Sequence, residues 1–263
     1  MNGADAVYLL GHPLAHSLSP LIHSVFGGYE YRLMDADENE ADAFIRSGGF
    51  RALNVTVPYK RFVIPYLDEV RGAAEMIGSV NTVVNEGGRL VGYNTDAAGL
   101  EKTLRCSGID PAGKKTLILG SGGTSLTAGY VLKRLGASQV VTVSRKGPVT
   151  YEKMYAEHSD AELIVNTTPV GMWPRTEERI CFLSRFPALM GAVDVIYNPR
   201  ETVFLREAKE LGIPRAGGLK MLVTQAAESR RLFGFGETDA ETAAEAEKAA
   251  AEYLEEHFGG KCQ

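Results

Sequence analysis

Short apolar runs alternate with amphipathic stretches along most of the chain. Ala6–Gly11 (AVYLLG), Tyr29–Ala36 (YEYRLMDA) and Ala52–Pro58 (ALNVTVP) read as strands. Between the first two, SPLIHSVFGG reads as a helix with Ser19 as N-cap, Pro20 at the first helical position and glycines closing it. EADAFIRSGGF reads as a second, short helix, and VNTVVNEGGRLVGYNTD as a hairpin turning at Gly87-Gly88. A helix follows from Ala97 to near Ser107. A second series starts at KTLILG (115–120) and continues through QVVTVSR (139–145), AELIVNTTP (161–169) and AVDVIYNP (192–199). TVFLREAKELG and LKMLVTQAAESRRLFGF are helical, and so is the Ala/Glu-rich tail from Glu237 to His257, a packing helix with a solvated acidic face. Strands that alternate with helices predict an α/β fold with largely parallel sheets.

Composition changes this picture little. Apolar residues make up 44% and charged residues 23%, as in an ordinary globular chain. The net charge of −5 argues against a nucleic-acid or anionic-membrane partner, while leaving room for a local basic patch that binds one small anion. Cys106, Cys181 and Cys262 are scattered and odd in number, which suits a reducing, cytoplasmic setting. The first residues have neither the basic start nor the long apolar core of a signal peptide, and no run is long enough for a membrane span. His12 and His16 are four apart, but Pro13 spoils a shared helical face, so no metal site is expected.

Candidate chemistry concentrates at strand ends. In LILGSGGTSLTAGYVL, Gly120, Ser121, Gly122, Gly123 and Thr124 lie between a buried strand and a helix. Glycines there permit a tight turn and close approach of a pyrophosphate to the helix N-terminus. The third glycine or alanine of the usual spacing is Ser125, and a plain strand–helix turn is the alternative. The second strand of the series ends in Ser144, Arg145 and Lys146, where an NAD site would carry an acid. A hydroxyl and two cations suit the 2′-phosphate of NADP; two solvated basic residues are the alternative. GIDPAGKK nearly spells a P-loop, but it precedes its strand and puts Lys115 where a hydroxyl belongs.

In the first series, NVTVPYK places Lys60 just past a buried strand, either in water or aimed into a site. Ser17 and Ser19 could hold a carboxylate at a helix start, or Ser19 could merely cap it. Asn81 lies in an apolar strand and Gln225 in an apolar helix, where each buried amide needs partners. Asp96 opens a helix, where it is satisfied locally or available for chemistry. Together these groups could hold a small polyhydroxylated acid beside a nicotinamide domain.

With these residues assembled, the chain resembles the shikimate dehydrogenase family, including its quinate-accepting relatives. GHPLAHSLSPLIH, NVTVPYK, IGSVNTV, GYNTDAAG, GSGGTS, IVNTTPVGM, DVIYNPRETVFL and GGLKMLVTQAA carry the resemblance, in family order, from residue 11 to near 227. It implies that Ser17 and Ser19 bind the shikimate carboxylate. Thr56, Asn81 and Gln225 would bind the ring hydroxyls, with Tyr197 nearby. Lys60 and Asp96 match the catalytic pair, either of which could pass the proton. Gly120 to Thr124 match the pyrophosphate loop, Ser144 to Lys146 the adenosine phosphate, and Val195 and Gly218 the nicotinamide surroundings. The implied domains are 1–97 plus 221–263 for substrate and a Rossmann-like 98–220 for the dinucleotide. Three departures stand out: Ser-Arg-Lys replaces the family's common Asn-Arg-Thr, the short stretch from Arg145 to Ala161 implies that one helix of the usual doubly wound domain is missing, and Gly72 stands where some relatives carry an acid. The implied activity is reversible NADPH-dependent reduction of 3-dehydroshikimate to shikimate, in a monomer or homodimer. Quinate or dual-substrate oxidation, with NAD less favoured than NADP, is the second reading; a non-catalytic NADP- or metabolite-binding sensor is a third, against which the Lys60–Asp96 pair speaks.

Overall fold

In the computed structural model, residues 6–259 are described. The chain divides into two units. One groups the residues up to Asp96 with Val223–Ala250; the other groups Ala97–Leu222 with the chain from Ala251 onward.

The first unit is built on a six-stranded sheet. Its strands are β1 (Val7–Gly11), β2 (Tyr31–Asp35), β3 (Ala52–Val55), β4 (Glu69–Val70), β5 (Thr82–Glu86) and β6 (Arg89–Tyr93), in the order β2-β1-β3-β5-β6-β4. β1 runs parallel to β2 and β3, and β4 parallel to β6, while β5 is antiparallel to both β3 and β6. The antiparallel pairing follows from the Gly87-Gly88 turn, because a two-residue connection can only return the chain alongside itself. β3 is buried along its whole length, which fits its central place.

The helices of this unit follow local chemistry. Helix α2 (Glu38–Ser47) starts with a capping box: Asp37 accepts from the Asn39 and Glu40 N–H groups, and Glu40 accepts from the Asp37 N–H. It buries Ala41 and Ile45 against Leu10, Phe50 and Leu53. Helix α1 (Ser19–Phe26) corrects one expectation. Leu18, not Ser19, is the N-cap, and no side chain caps the helix. The Ile22 N–H bonds to Leu18 O at 3.0 Å, so the first helical turn begins one residue early and Pro20 falls at the second helical position. Ser19 is thereby drawn inside the helix, where its own N–H reaches Ser17 Oγ at 3.3 Å.

The second unit holds a five-stranded, all-parallel sheet of β7 (Lys115–Leu119), β8 (Gln139–Val143), β9 (Leu163–Asn166), β10 (Gly191–Asp194) and β11 (Arg215–Ala216). The order β11-β10-β9-β7-β8 puts β7 between β8 and β9. Chain order reverses there, so the end of β7 opens at a switch point, where α/β sheets bind ligands. Helix α3 (Ala73–Ile77) belongs to the first unit; α4 (Asp96–Cys106) leads from the first unit into the second, α5 (Gly123–Arg134) follows β7, and α7 (Val203–Glu210) packs on β10.

The β8–β9 connection differs from the expectation of a missing helix. It contains α6, seven residues from Tyr151 to Glu157. Val149 bridges back to Val143, Thr150 caps the helix, and Met154 is fully buried, with Tyr151 and Tyr155 also packed on the core. Three apolar contacts at helical spacing are enough to fix so short a helix on a sheet that already exists. Helix α8 (Leu219–Leu232) and helix α9 (Ala240–Phe258) complete the chain. α9 buries Ala246, Ala250 and Leu254 along one stripe, and its last turn, within the second unit, pairs Glu255 with Arg200 and packs Phe258 against Trp173. Among the described residues no helix is long and apolar enough to cross a membrane.

Candidate active site

Lys60 is mounted on rigid backbone. Past β3, the Thr56 N–H bonds to Leu10 O and the Tyr59 N–H to Thr56 O, so the chain leaves the sheet in a tight turn. Tyr59 anchors that turn by donating its hydroxyl to Ala36 O, and Lys60 O accepts from the Val80 N–H at 2.8 Å. The Lys60 ammonium lies 2.5 Å from Asp96 Oδ2, with side chains only 13% and 8% exposed. Such a shielded pair is held as a unit, since removing one partner strands the other charge at a cost of roughly 3–5 kcal/mol.

Asn81 holds the far side of the carboxylate. Its Nδ2 donates to Asp96 Oδ1 at 2.9 Å and to Thr95 Oγ1 at 2.9 Å. Its Oδ1 accepts the Thr95 N–H at 2.7 Å. Both donors of this amide are therefore directed at protein groups, and its immediate work is to orient Asp96. Gln225 turns Oε1 towards the same cluster, 3.4 Å from Thr95 Oγ1 and 3.5 Å from Asn81 Nδ2.

Behind these residues lies a polar layer that the sequence did not single out for chemistry: Tyr31, Asn54, Thr82, Thr95 and Ser229. Asn54 accepts from the Tyr31 hydroxyl at 2.9 Å and donates to Ser229 Oγ at 2.9 Å and Thr82 Oγ1 at 3.2 Å. Ser19 is buried. Burial holds the Tyr31 hydroxyl well above the ordinary phenol range, so it stays a proton donor. The available signal was Asn54 and Thr82 inside apolar strands, the same anomaly that drew attention to Asn81. Thr56 is placed at the end of β3, four residues before Lys60, and Ser17 two residues before Ser19.

In the second unit, the glycine turn closes β7 onto α5. Gly120 has φ +115°, and a Cβ there would lie 2.7 Å from Thr167 Oγ1. Only glycine allows β7 to end so close to Thr167. Ser125, which replaces the usual small residue, is buried and donates to Gly120 O at 2.8 Å, bracing the turn from within. Helix α5 starts at Gly122 with no side-chain cap, and a Cβ on Gly122 would meet nothing within 4 Å. An uncapped helix end with open space before it fits a pyrophosphate. Thr124 lies in the first turn of that helix, and Ser121 precedes it.

After β8, Arg145 and Lys146 are exposed. Ser144 is buried instead, its Oγ only 2.6 Å from where a Cβ on Gly147 would stand. The loop thus folds over the hydroxyl and leaves the two cations outward, which fits the phosphate of NADP better through them than through the serine.

Val195 and Gly218 meet: a Cβ on Gly218 would fall 2.0 Å from Val195 O, and the Gly218 N–H bonds to Ile196 O at 2.9 Å. Asp194, just before, is buried and gathers three donors. They are Asn166 Nδ2 at 3.1 Å, the Ile196 N–H at 3.1 Å and Thr202 Oγ1 at 2.7 Å. Burial pushes its carboxyl up to about 7 despite those donors. Tyr197 belongs to this unit, three residues past Asp194. Among the described residues no group of three His, Cys, Asp or Glu side chains could hold a metal ion.

A parallel sheet whose switch point carries a glycine turn, in a chain that also holds a shielded lysine–carboxylate pair, defines an α/β dehydrogenase of the nicotinamide-dependent class. Comparison with known proteins narrows the class. Residues 9–83 match the model of the shikimate dehydrogenase substrate binding domain. A shikimate dehydrogenase (NADP(+)) of Moorella thermoacetica is 39% identical over 256 residues, covering 86% of this chain and 87% of that protein. Shikimate dehydrogenase 1 of Peptoclostridium difficile superposes with a TM-score of 0.86 at 31% identity, covering 95% of this chain and 99% of the other. The shikimate 5-dehydrogenase of Thermus thermophilus, solved with NADP(H) and shikimate, superposes with a TM-score of 0.82 at 32% identity, covering 94% and 99%. The chain belongs to the shikimate dehydrogenase family.

Proposed function

We infer that this protein is an NADP-dependent shikimate dehydrogenase, which interconverts 3-dehydroshikimate and shikimate. The reading is supported by family membership and carried by one observation, the 2.5 Å contact between Lys60 and Asp96 with Asn81 aligning the carboxylate. We assign the first unit to the substrate and the second to the dinucleotide.

Gly120 to Thr124 would face the pyrophosphate, Arg145 and Lys146 the 2′-phosphate, and Val195 with Gly218 the nicotinamide. When bound, NADPH supplies the hydride that reduces the ring carbonyl carbon. As that carbon is reduced, negative charge grows on its oxygen. The Lys60 ammonium stabilises that charge and, with Asp96, delivers the proton. Ser17 and Ser19 hold the carboxylate, Thr56 and Gln225 contact the ring hydroxyls, and Asn81, whose amide donors are taken by Asp96 and Thr95, orients Asp96. Placing the reacting groups in line contributes roughly 7–11 kcal/mol of barrier reduction in well-aligned systems.

The test is a nicotinamide absorbance assay with shikimate and quinate against NADP and NAD, on wild type and Lys60→Ala. Oxidation of shikimate with NADP, lost in Lys60→Ala, is the expected result. A wild type that turns over neither acid would reject the reading.

A further inference from the structure

Tyr31 and the Lys60–Asp96 pair stand at two ends of one hydrogen-bond chain, and Ser229 is its junction. From one end, Tyr31 donates to Asn54 Oδ1, and Asn54 Nδ2 donates to Ser229 Oγ at 2.9 Å. From the other, Asp96 Oδ1 and Thr95 Oγ1 both accept from Asn81, and Thr95 Oγ1 lies 3.1 Å from Ser229 Oγ.

Ser229 has no exposed surface. Its own proton is committed, because Oγ donates to Gln225 O at 2.9 Å and a carbonyl can only accept. Its two lone pairs therefore face the Asn54 N–H at 2.9 Å and the hydroxyls of Thr82 and Thr95, each 3.1 Å away, of which one at a time can donate to it. A single hydroxyl, one helical turn beyond Gln225, thus ties α8 to β3, to β5 and to the residue before α4.

We propose that Ser229 is a positioning residue: it sets how the α8 turn carrying Gln225 is presented to the substrate. The proposal rests on the reading that Gln225 contacts the ring hydroxyls. Removing the hydroxyl takes from Asn54 Nδ2 its nearest acceptor, at 2.9 Å against 3.2–3.3 Å for Thr82 Oγ1 and Asn81 O, and unties the α8 turn from β3.

The experiment is a double-mutant cycle of Ser229→Ala and Gln225→Ala, read as KM for shikimate, KM for NADP and kcat. Ser229→Ala is expected to raise the shikimate KM about tenfold while leaving the NADP KM within about twofold. In the Gln225→Ala background it should add little, because a residue that acts through Gln225 has nothing left to position. Ser229→Cys keeps the shape with a poor acceptor and repeats the measurement where alanine destabilises the chain. If wild type oxidises shikimate but Ser229→Ala leaves its KM unchanged, or the two substitutions add in full, the positioning role is overturned alone. A wild type inactive on shikimate overturns it together with the functional reading.

Discussion

The backbone N–H of Thr95 points at Asn81 Oδ1 from 2.7 Å, and this contact decides which end of the Asn81 amide faces Asp96. A backbone N–H can only donate, so the oxygen is fixed on that side and the NH2 group reaches Asp96 Oδ1 at 2.9 Å. Asp96 then has Oδ2 left for Lys60. The aim of the carboxylate is thus set by the peptide that immediately precedes it. Asn81→Asp keeps the Thr95 bond but sets two carboxylate oxygens face to face. One of the pair must then hold a proton at neutral pH. We expect kcat to fall at pH 7 and the acidic limb of its pH profile to move upward; an unmoved profile would show that Asn81 does not govern Asp96.

Lys60→Ala should lower kcat by roughly 10²–10⁴, the usual range for losing a general acid. Because Lys60 lies in the first unit and the glycine turn in the second, NADP affinity should stay within about twofold. Calorimetric titration of NADP beside steady-state rates checks both halves of the prediction.

Arg145→Ala should weaken NADP about 10- to 100-fold, as expected for losing a charge-assisted contact, and leave NAD almost unchanged. Ser144→Ala should change either cofactor far less, because Ser144 is covered by its own loop while Arg145 is exposed. Equal weakening of NADP and NAD by Arg145→Ala would remove the 2′-phosphate assignment.

Gly218→Ala would drive a methyl group onto Val195 O, 2.0 Å away, so one of the two segments must yield. The NADP KM should rise, with the shikimate KM little affected. A protein with both constants unchanged would place the nicotinamide elsewhere.

Asp194 gives a prediction about stability. Burial pushes its carboxyl up to about 7, well above the ordinary carboxylate range. The folded state therefore binds the proton more tightly than the unfolded state. Stability from this group is full below about pH 4 and is lost as pH rises towards 7. Asp194→Asn, which cannot ionise, should flatten the dependence of Tm on pH between those limits. Parallel curves for the two proteins would contradict it.

Much of the architecture was legible in residue order. Apolar runs located the long strands, and the Gly87-Gly88 turn predicted the hairpin. Helix α6 was not legible, because seven residues with three apolar contacts carry no signal until the sheet beneath them exists. The start of α1 was misread because a serine before proline satisfies the capping pattern, whereas backbone geometry put the cap at Leu18. The two-residue strands β4 and β11 escaped notice for the reason α6 did: they exist only by pairing with a longer neighbour.

By itself, the sequence determined the kinds of groups available: a lysine past a buried strand, an aspartate opening a helix, amides in apolar settings and a glycine turn after β7. These are local properties, set by side-chain chemistry and nearest neighbours. Tertiary structure alone decided that Lys60 meets Asp96, that Thr95 orients Asn81, and that Asn54 donates a hydrogen bond to Ser229, 175 positions away. Hydrogen bonds are directional and act over about 3 Å, so no spacing along a chain encodes them until distant segments are packed together.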